Sequence, residues 1–158
     1  MNRFHIAVAA SALALTSASA FAADFPQSGA TKATGYLTGS SVEGLDGWAT
    51  GSNPEIYVQS GVVRGEKDGG PFDKMYLRCI GQDVSIAGKI SDNGACTETD
   101  KAGDMIFESY GSDGFTFVGG TGKFKGITGG GTGKLEMVFE GAKNWPIIAT
   151  WDKHWEIK

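Results

Sequence analysis

The chain is short of cysteine (two), histidine (two) and proline (four) across 158 residues, and it has no apolar run long enough to cross a bilayer. A membrane-spanning helix needs about 20 consecutive apolar residues, so no such span is expected. One histidine lies near the N-terminus, leaving His154 as the only one in the body of the chain. With so few histidine and cysteine donors, a transition-metal site of His/Cys type lacks ligands, and no metal or other cofactor is expected. Basic charge is also in deficit, with 14 Lys and Arg against 18 Asp and Glu. That balance argues against nucleic acid, whose binding rests on neutralising phosphates, and against attraction to an anionic membrane surface. Helical periodicity is missing too, since no window of about 11 residues keeps a 3.6-residue period with caps. What is abundant is glycine. There are 25, none of them before Gly29, about twice the ordinary ~7%. Each interior glycine costs a helix roughly 1 kcal/mol against alanine, so helical bundles are excluded. The absence of a Gly-X-Y period excludes collagen. The hydrophobic share of 41% excludes a disordered linker. A glycine-punctuated all-β fold remains.

Residues 1–22 read as a secretory leader. Arg3 and His5 form a basic head, an alanine-rich apolar run follows from Ile6 to Leu15, and Ala20 and Ala22 are spaced for cleavage at Ala22/Ala23. A single domain is then expected over residues 23–158, secreted or periplasmic, with 13 basic residues against 18 acidic and a net charge of −5. In an oxidising compartment Cys79 and Cys96, separated by 17 positions, leave no odd thiol and are expected to form a structural disulfide. A redox site would prefer a C-x-x-C spacing, which is absent.

Downstream, short β-like runs alternate with turn signals. The expected strands are Thr34–Ser40, Glu55–Glu66, Lys74–Ile80, Val84–Ile90, Asp104–Tyr110, Gly114–Val118, Lys134–Glu140 and Ile147–Ile157. Asp68-Gly69-Gly70-Pro71, Asn93-Gly94 and Asp113-Gly114 mark turns between them. Short connections favour an antiparallel, up-and-down barrel or sandwich. Gly119-Gly120-Thr121-Gly122-Lys123-Phe124 is echoed by Gly130-Gly131-Thr132-Gly133-Lys134-Leu135, an interval that suits one strand plus its turn. Neither copy is a phosphate loop, because Phe124 and Leu135 stand where a Walker motif needs Ser or Thr.

The stretch Phe117-Val118-Gly119-Gly120-Thr121-Gly122-Lys123-Phe124-Lys125-Gly126, followed by Gly129-Gly130-Gly131, resembles the glycine signature of the allene oxide cyclase and dirigent superfamily. Arg78-Cys79, Cys96 and the Asp100–Asp104 segment ahead of it resemble bacterial secreted members of that barrel group. The resemblance covers roughly Lys74 to Ile157. It implies an eight-stranded antiparallel barrel with an apolar and aromatic cavity, used in the plant cyclases to steer an epoxide into ring closure and in dirigent proteins to steer phenoxy-radical coupling. The glycine signature is structural, so it assigns no catalytic residue here.

Candidate chemistry comes from strand alternation. Asp152, His154 and Glu156 share one strand face, opposite Trp151, Lys153, Trp155 and Ile157. Either the tryptophan face is buried and the charged face solvated, or His154 and Glu156 form an acid–base pair at the barrel mouth. No G-x-S-x-G elbow supports a serine triad. Tyr76 and Arg78 share a face on one strand, and Ile106, Glu108 and Tyr110 share a face on another. If both faces line a cavity, Tyr76, Arg78 and Tyr110 would bind a polar group of a ligand, with Glu108 and His154 as catalytic candidates; otherwise Arg78 and Glu108 are an ordinary surface pair. Asp100–Asp104 reads as a turn, with weak calcium binding as the alternative. The expected function is binding of a small apolar or aromatic molecule in the barrel. A cyclase or isomerase acting on a hydrophobic substrate and a solidly packed structural or partner-binding barrel are the alternatives. Oligomeric state stays open.

Overall fold

The computed structural model describes residues 25–44, 54–86, 89–139 and 144–158. The expected leader and its cleavage point lie outside the described residues. Eight strands follow in chain order: β1 (Ser28–Gly44), β2 (Glu55–Gly65), β3 (Met75–Ile86), β4 (Lys89–Thr99), β5 (Met105–Gly111), β6 (Gly114–Gly120), β7 (Ile127–Met137) and β8 (Asn144–Ile157). Each pairs antiparallel with the next, and β8 pairs with β1 from Ser28↔Glu156 to Ser40↔Asn144, closing the barrel. Among the described residues, closure gives every strand a partner on both sides.

Period-2 alternation decides which side chains enter the barrel. In β3, Met75, Leu77 and Cys79 are buried while Tyr76, Arg78 and Ile80 are exposed. In β8, Lys153 and Trp155 are buried while Asp152, His154 and Glu156 face solvent. Cys79 and Cys96 stand directly opposite one another across β3 and β4, Cα to Cα 4.1 Å, and form the expected disulfide.

One hairpin differs from the sequence expectation. The strand expected at Val84–Ile90 is split between β3 and β4, and the Asn93-Gly94 turn signal lies inside β4. Gly81 and Gly94 pair directly across these two strands. A Cβ on either would collide with the Tyr110 hydroxyl, and one on Gly81 would also meet Tyr57. These glycines make room for side chains rather than turning the chain. Other glycines serve the tryptophans in the same way: Gly29 lies under the Trp155 ring, Gly39 under Trp145, and Gly35 and Gly133 under Trp151. The two copies of the glycine repeat also diverge. The first ends β6 and forms a 3-10 turn at Gly122–Phe124, where Gly122 adopts φ 53° against the Asp104 carboxylate; the second runs inside β7.

The barrel is closed at one end by aromatic rings. The β2–β3 connection drives Phe72 inward, with its backbone at φ 60°. That left-handed conformation is disfavoured for a bulky side chain, and polar contacts hold it in place: Arg64 Nε and Gly69 N donate to the Asp73 carboxylate at 2.7 and 2.8 Å. Phe72 meets Phe25, Trp155 and Phe117 at centroid distances of 5.6, 5.4 and 5.8 Å, and Phe124 packs on Phe25 at 4.9 Å.

Candidate functional site

Above the aromatic plug, the middle of the barrel holds three charged side chains. Lys153 (β8), Glu98 (β4) and Glu108 (β5) are 2%, 0% and 6% exposed. Lys153 Nζ donates to Glu98 Oε1 and lies 3.5 Å from Glu108 Oε1. Four rings surround the ammonium: Phe72, Trp151, Phe115 and Phe117, with centroids at 4.5, 5.3, 5.4 and 5.8 Å. Charge removed from water must be paired to remain charged, and two carboxylates here face one ammonium. Burial is the main influence on Glu108; it outweighs the attraction of Lys153, is reinforced by Glu98, and pushes the carboxyl up to about 7. Burial opposes the charged form of Lys153, yet the two carboxylates more than offset it and hold the ammonium above its usual range.

Glu108 also lines a cavity of about 260 Å³ on the side of the barrel away from the plug, walled by Leu37, Leu77, Tyr57, Tyr110, Phe115 and Trp151. The disulfide forms part of the wall. Tyr57 donates to the Asp92 carboxylate, and its oxygen lies 2.7 Å from that of Tyr110. Because the one Tyr57 proton is committed to Asp92, Tyr110 is the donor in the second bond. Burial pushes Tyr110 up to about 12, and burial followed by the Asp92 contact pushes Tyr57 higher still. Both hydroxyls are therefore neutral hydrogen-bonding groups at physiological pH. Toward the mouth, Glu55, Asp83 and Asp92 face one another across a second hollow that shares Tyr57 and Leu135 with the first. Burial, then Asp92 and Glu55, raise the Asp83 carboxyl.

The residues expected at the site divide between the two faces of the wall. Glu108 and Tyr110 line the cavity. Tyr76, 51% exposed, and Arg78 point outward, because burying Leu77, Met75 and the disulfide on the inner face sends their neighbours out. The expected common face of Tyr76, Arg78, Glu108 and Tyr110 is thus corrected, and the cation beside Glu108 is Lys153 rather than Arg78. His154 points outward as well and flanks a surface hollow with Glu156, Ser28 and Thr128. The expected pair of His154 and Glu156 thus lies on the outer face of β8 and not inside the barrel. Asp100 forms the expected turn, accepting from Ala102 N and Asp104 N at 2.8 and 3.0 Å. Lys153, Glu98, Tyr57 and Asp92 were not singled out from the sequence. Lys153 carried a signal, standing between Trp151 and Trp155 on the face whose rings demand burial. Glu98 and Asp92 lie on the strand obscured by the Asn93-Gly94 turn signal.

No protein-family model matches the chain, and no curated protein sequence matches it. Among solved structures, the pterocarpan synthase dirigent protein GePTS1 superposes with a TM-score of 0.53 at 15% identity, over 84% of this chain and 88% of that one. The architecture is therefore a dirigent-like barrel. At that identity the likeness is one of fold, and the site must be read from its own residues.

Proposed function

We propose that this protein binds a small aromatic molecule inside its barrel. The observation that carries this reading is the cavity lined by Tyr57, Tyr110, Phe115, Trp151 and Glu108. Its volume of about 260 Å³ lies just below the ~300–1,000 Å³ ordinary for small-molecule sites, which suits a ligand of one or two rings. Aromatic walls supply contact area, and the tyrosine hydroxyls with Glu108 supply the few polar groups that fix orientation. The neighbouring dirigent protein is a pterocarpan synthase by name, which agrees with an aromatic occupant. We also infer export: residues 1–22 have the pattern of a secretory leader, and a disulfide fits an oxidising compartment. The test is native mass spectrometry of protein purified from its own host, with an aromatic compound expected to accompany the chain. A bare-chain mass, together with aromatic-probe binding that is unchanged when Leu77→Trp fills the cavity, would remove the reading.

A second reading, catalysis by a cyclase or isomerase, is favoured by one feature. A carboxyl pushed up to about 7 in the wall of an aromatic cavity is matched to proton donation at neutral pH. On this reading Glu108→Gln abolishes turnover of a reactive hydrophobic substrate while the barrel stays folded. His154→Ala, on the outer wall, leaves turnover unchanged.

A further inference from the structure

Among the described residues, the charged side chains that line the cavity and its mouth are all acidic. Asp92, Glu108 and Asp113 line the interior hollow, and Glu55 and Asp83 join Asp92 at the mouth. No lysine or arginine lines either hollow among the described residues. Lys153 lies beneath, and its charge is committed to Glu98, whose carboxylate it meets directly. Glu108 is different. It is buried, it borders the void, and its Oε1 has the Lys153 ammonium only at the long distance of 3.5 Å. A buried carboxyl with so long a contact is incompletely satisfied, and a ligand that donates to it from the cavity gains free energy. The rings above it are suited to a positive charge. Phe115 and Trp151, which wall the cavity, have the Lys153 ammonium 5.4 and 5.3 Å from their ring centroids, and aromatic walls of this kind receive cations. Low-dielectric walls of one sign also concentrate counter-ions at the entrance.

We propose that the ligand is an organic cation, an aromatic ring carrying a protonated amine, whose ammonium group donates to Glu108 while its ring packs against Phe115, Trp151 and Tyr110. This rests on the reading of the cavity as a small-molecule site and specifies the chemistry it selects. Glu108 holds its proton when the cavity is empty below about pH 7, and an arriving ammonium favours the carboxylate. Binding therefore breaks the Glu108 O–H bond, forms an N–H···O contact from the ligand and releases one proton to solvent. Above that pH the carboxylate is already formed and little proton is released. Affinity for a cation consequently rises with pH, opposite to the behaviour of a neutral ligand that needs Glu108 as a donor.

The experiment uses three probes of one shape: benzylamine, which is charged throughout pH 6–8, neutral benzyl alcohol and anionic benzoate. Binding is measured by isothermal titration calorimetry at pH 6 and pH 8, in buffers of different ionisation enthalpy to count protons released. Benzylamine is expected to bind about tenfold or more tighter than benzyl alcohol at pH 8, with benzoate weakest. Its proton release is expected to approach one at pH 6 and to vanish at pH 8. Glu108→Gln removes both the preference and the proton release; if that variant does not fold, the pH dependence of the unaltered protein decides, supported by a weaker preference in Asp113→Asn. Benzyl alcohol binding as well as benzylamine, or benzylamine binding without linked proton release at pH 6, overturns the assignment of charge while leaving the cavity reading intact. If none of the three binds, the cavity reading falls with it.

Discussion

Ionising Glu108 inside the barrel opposes folding, and the direction of the pH effect follows from where its proton is held. The carboxyl moves from 4.5 in its ordinary state to about 7 in the folded chain, mainly through burial. Between those values the folded state keeps a proton that the unfolded chain has released. The stability this contributes is fully present below about pH 4.5 and is lost as pH rises through about 7, a change of about 3 kcal/mol. Guanidinium denaturation from pH 5 to 8.5 should show this decline, and Glu108→Gln should flatten it; parallel profiles for the two proteins would contradict the assignment. Lys153 sets the complementary test. Lys153→Met strands Glu98 in the interior and is expected to cost about 3–5 kcal/mol, whereas Lys153→Met with Glu98→Leu recovers most of the loss, because a well-packed apolar pair replaces a buried ion pair at little net cost. A double-mutant cycle in guanidinium reads the coupling. The two positions were unequally visible in the sequence. Lys153 sits between tryptophans that must be buried, so alternation alone places it inside. Glu98 is one acidic residue in a polar segment, Ser91 to Asp100, and nothing local distinguishes it from a solvated charge.

The β3–β4 hairpin shows how an element can be misread when glycine has two uses. Asn93-Gly94 is a strong turn signal in isolation, yet Gly94 pairs with Gly81 in mid-strand because Tyr110 and Tyr57 occupy the space where their side chains would be. That constraint is tertiary. It is set by β2 and β5, which pack their tyrosines against this hairpin, and so no local window carries it. The consequence is testable at the same element. Gly81→Ala places a methyl group against the Tyr110 hydroxyl and the Tyr57 ring, and is expected to destabilise by about 1–3 kcal/mol through overpacking. Tyr110→Phe in the same chain removes the nearest clashing atom and should restore part of the loss, measured as thermal midpoints of the two variants. An equal penalty in both would mean that Gly81 is needed for its backbone rather than for the space it leaves. By contrast, β8 was legible almost end to end, since strict alternation of Trp151, Lys153, Trp155 and Ile157 against Asp152, His154 and Glu156 matches the observed inner and outer faces.

At the scale of the molecule, eight strands joined in sequence order make a closed wall, and the disulfide is the covalent tie across it. The all-β class was readable because glycine-marked segments of strand length recur with no competing helical period, while the barrel rather than a sandwich was implied by the resemblance that the glycine signature carries. The cavity was not readable, since it depends on which inward residues meet across the barrel axis. Cys79 and Cys96 bridge adjacent strands already paired in register, so the bond adds little to the geometry of the folded wall. Its effect lies chiefly in the unfolded chain, where it closes a loop of sequence separation 17; loss of that closure is expected to cost about 3 kcal/mol. Both cysteines also line the cavity, so Cys79→Ala with Cys96→Ala removes two sulfur atoms from the wall and adds a packing loss on top. Reduction by dithiothreitol keeps those atoms in place. The double variant should therefore unfold at a lower guanidinium midpoint than the reduced protein, and the reduced protein at a lower midpoint than the oxidised one. Equal midpoints for the reduced protein and the double variant would show that the sulfur atoms contribute nothing to packing around the cavity. An unchanged midpoint on reduction would show instead that the β3–β4 pairing persists in the unfolded chain without the covalent tie.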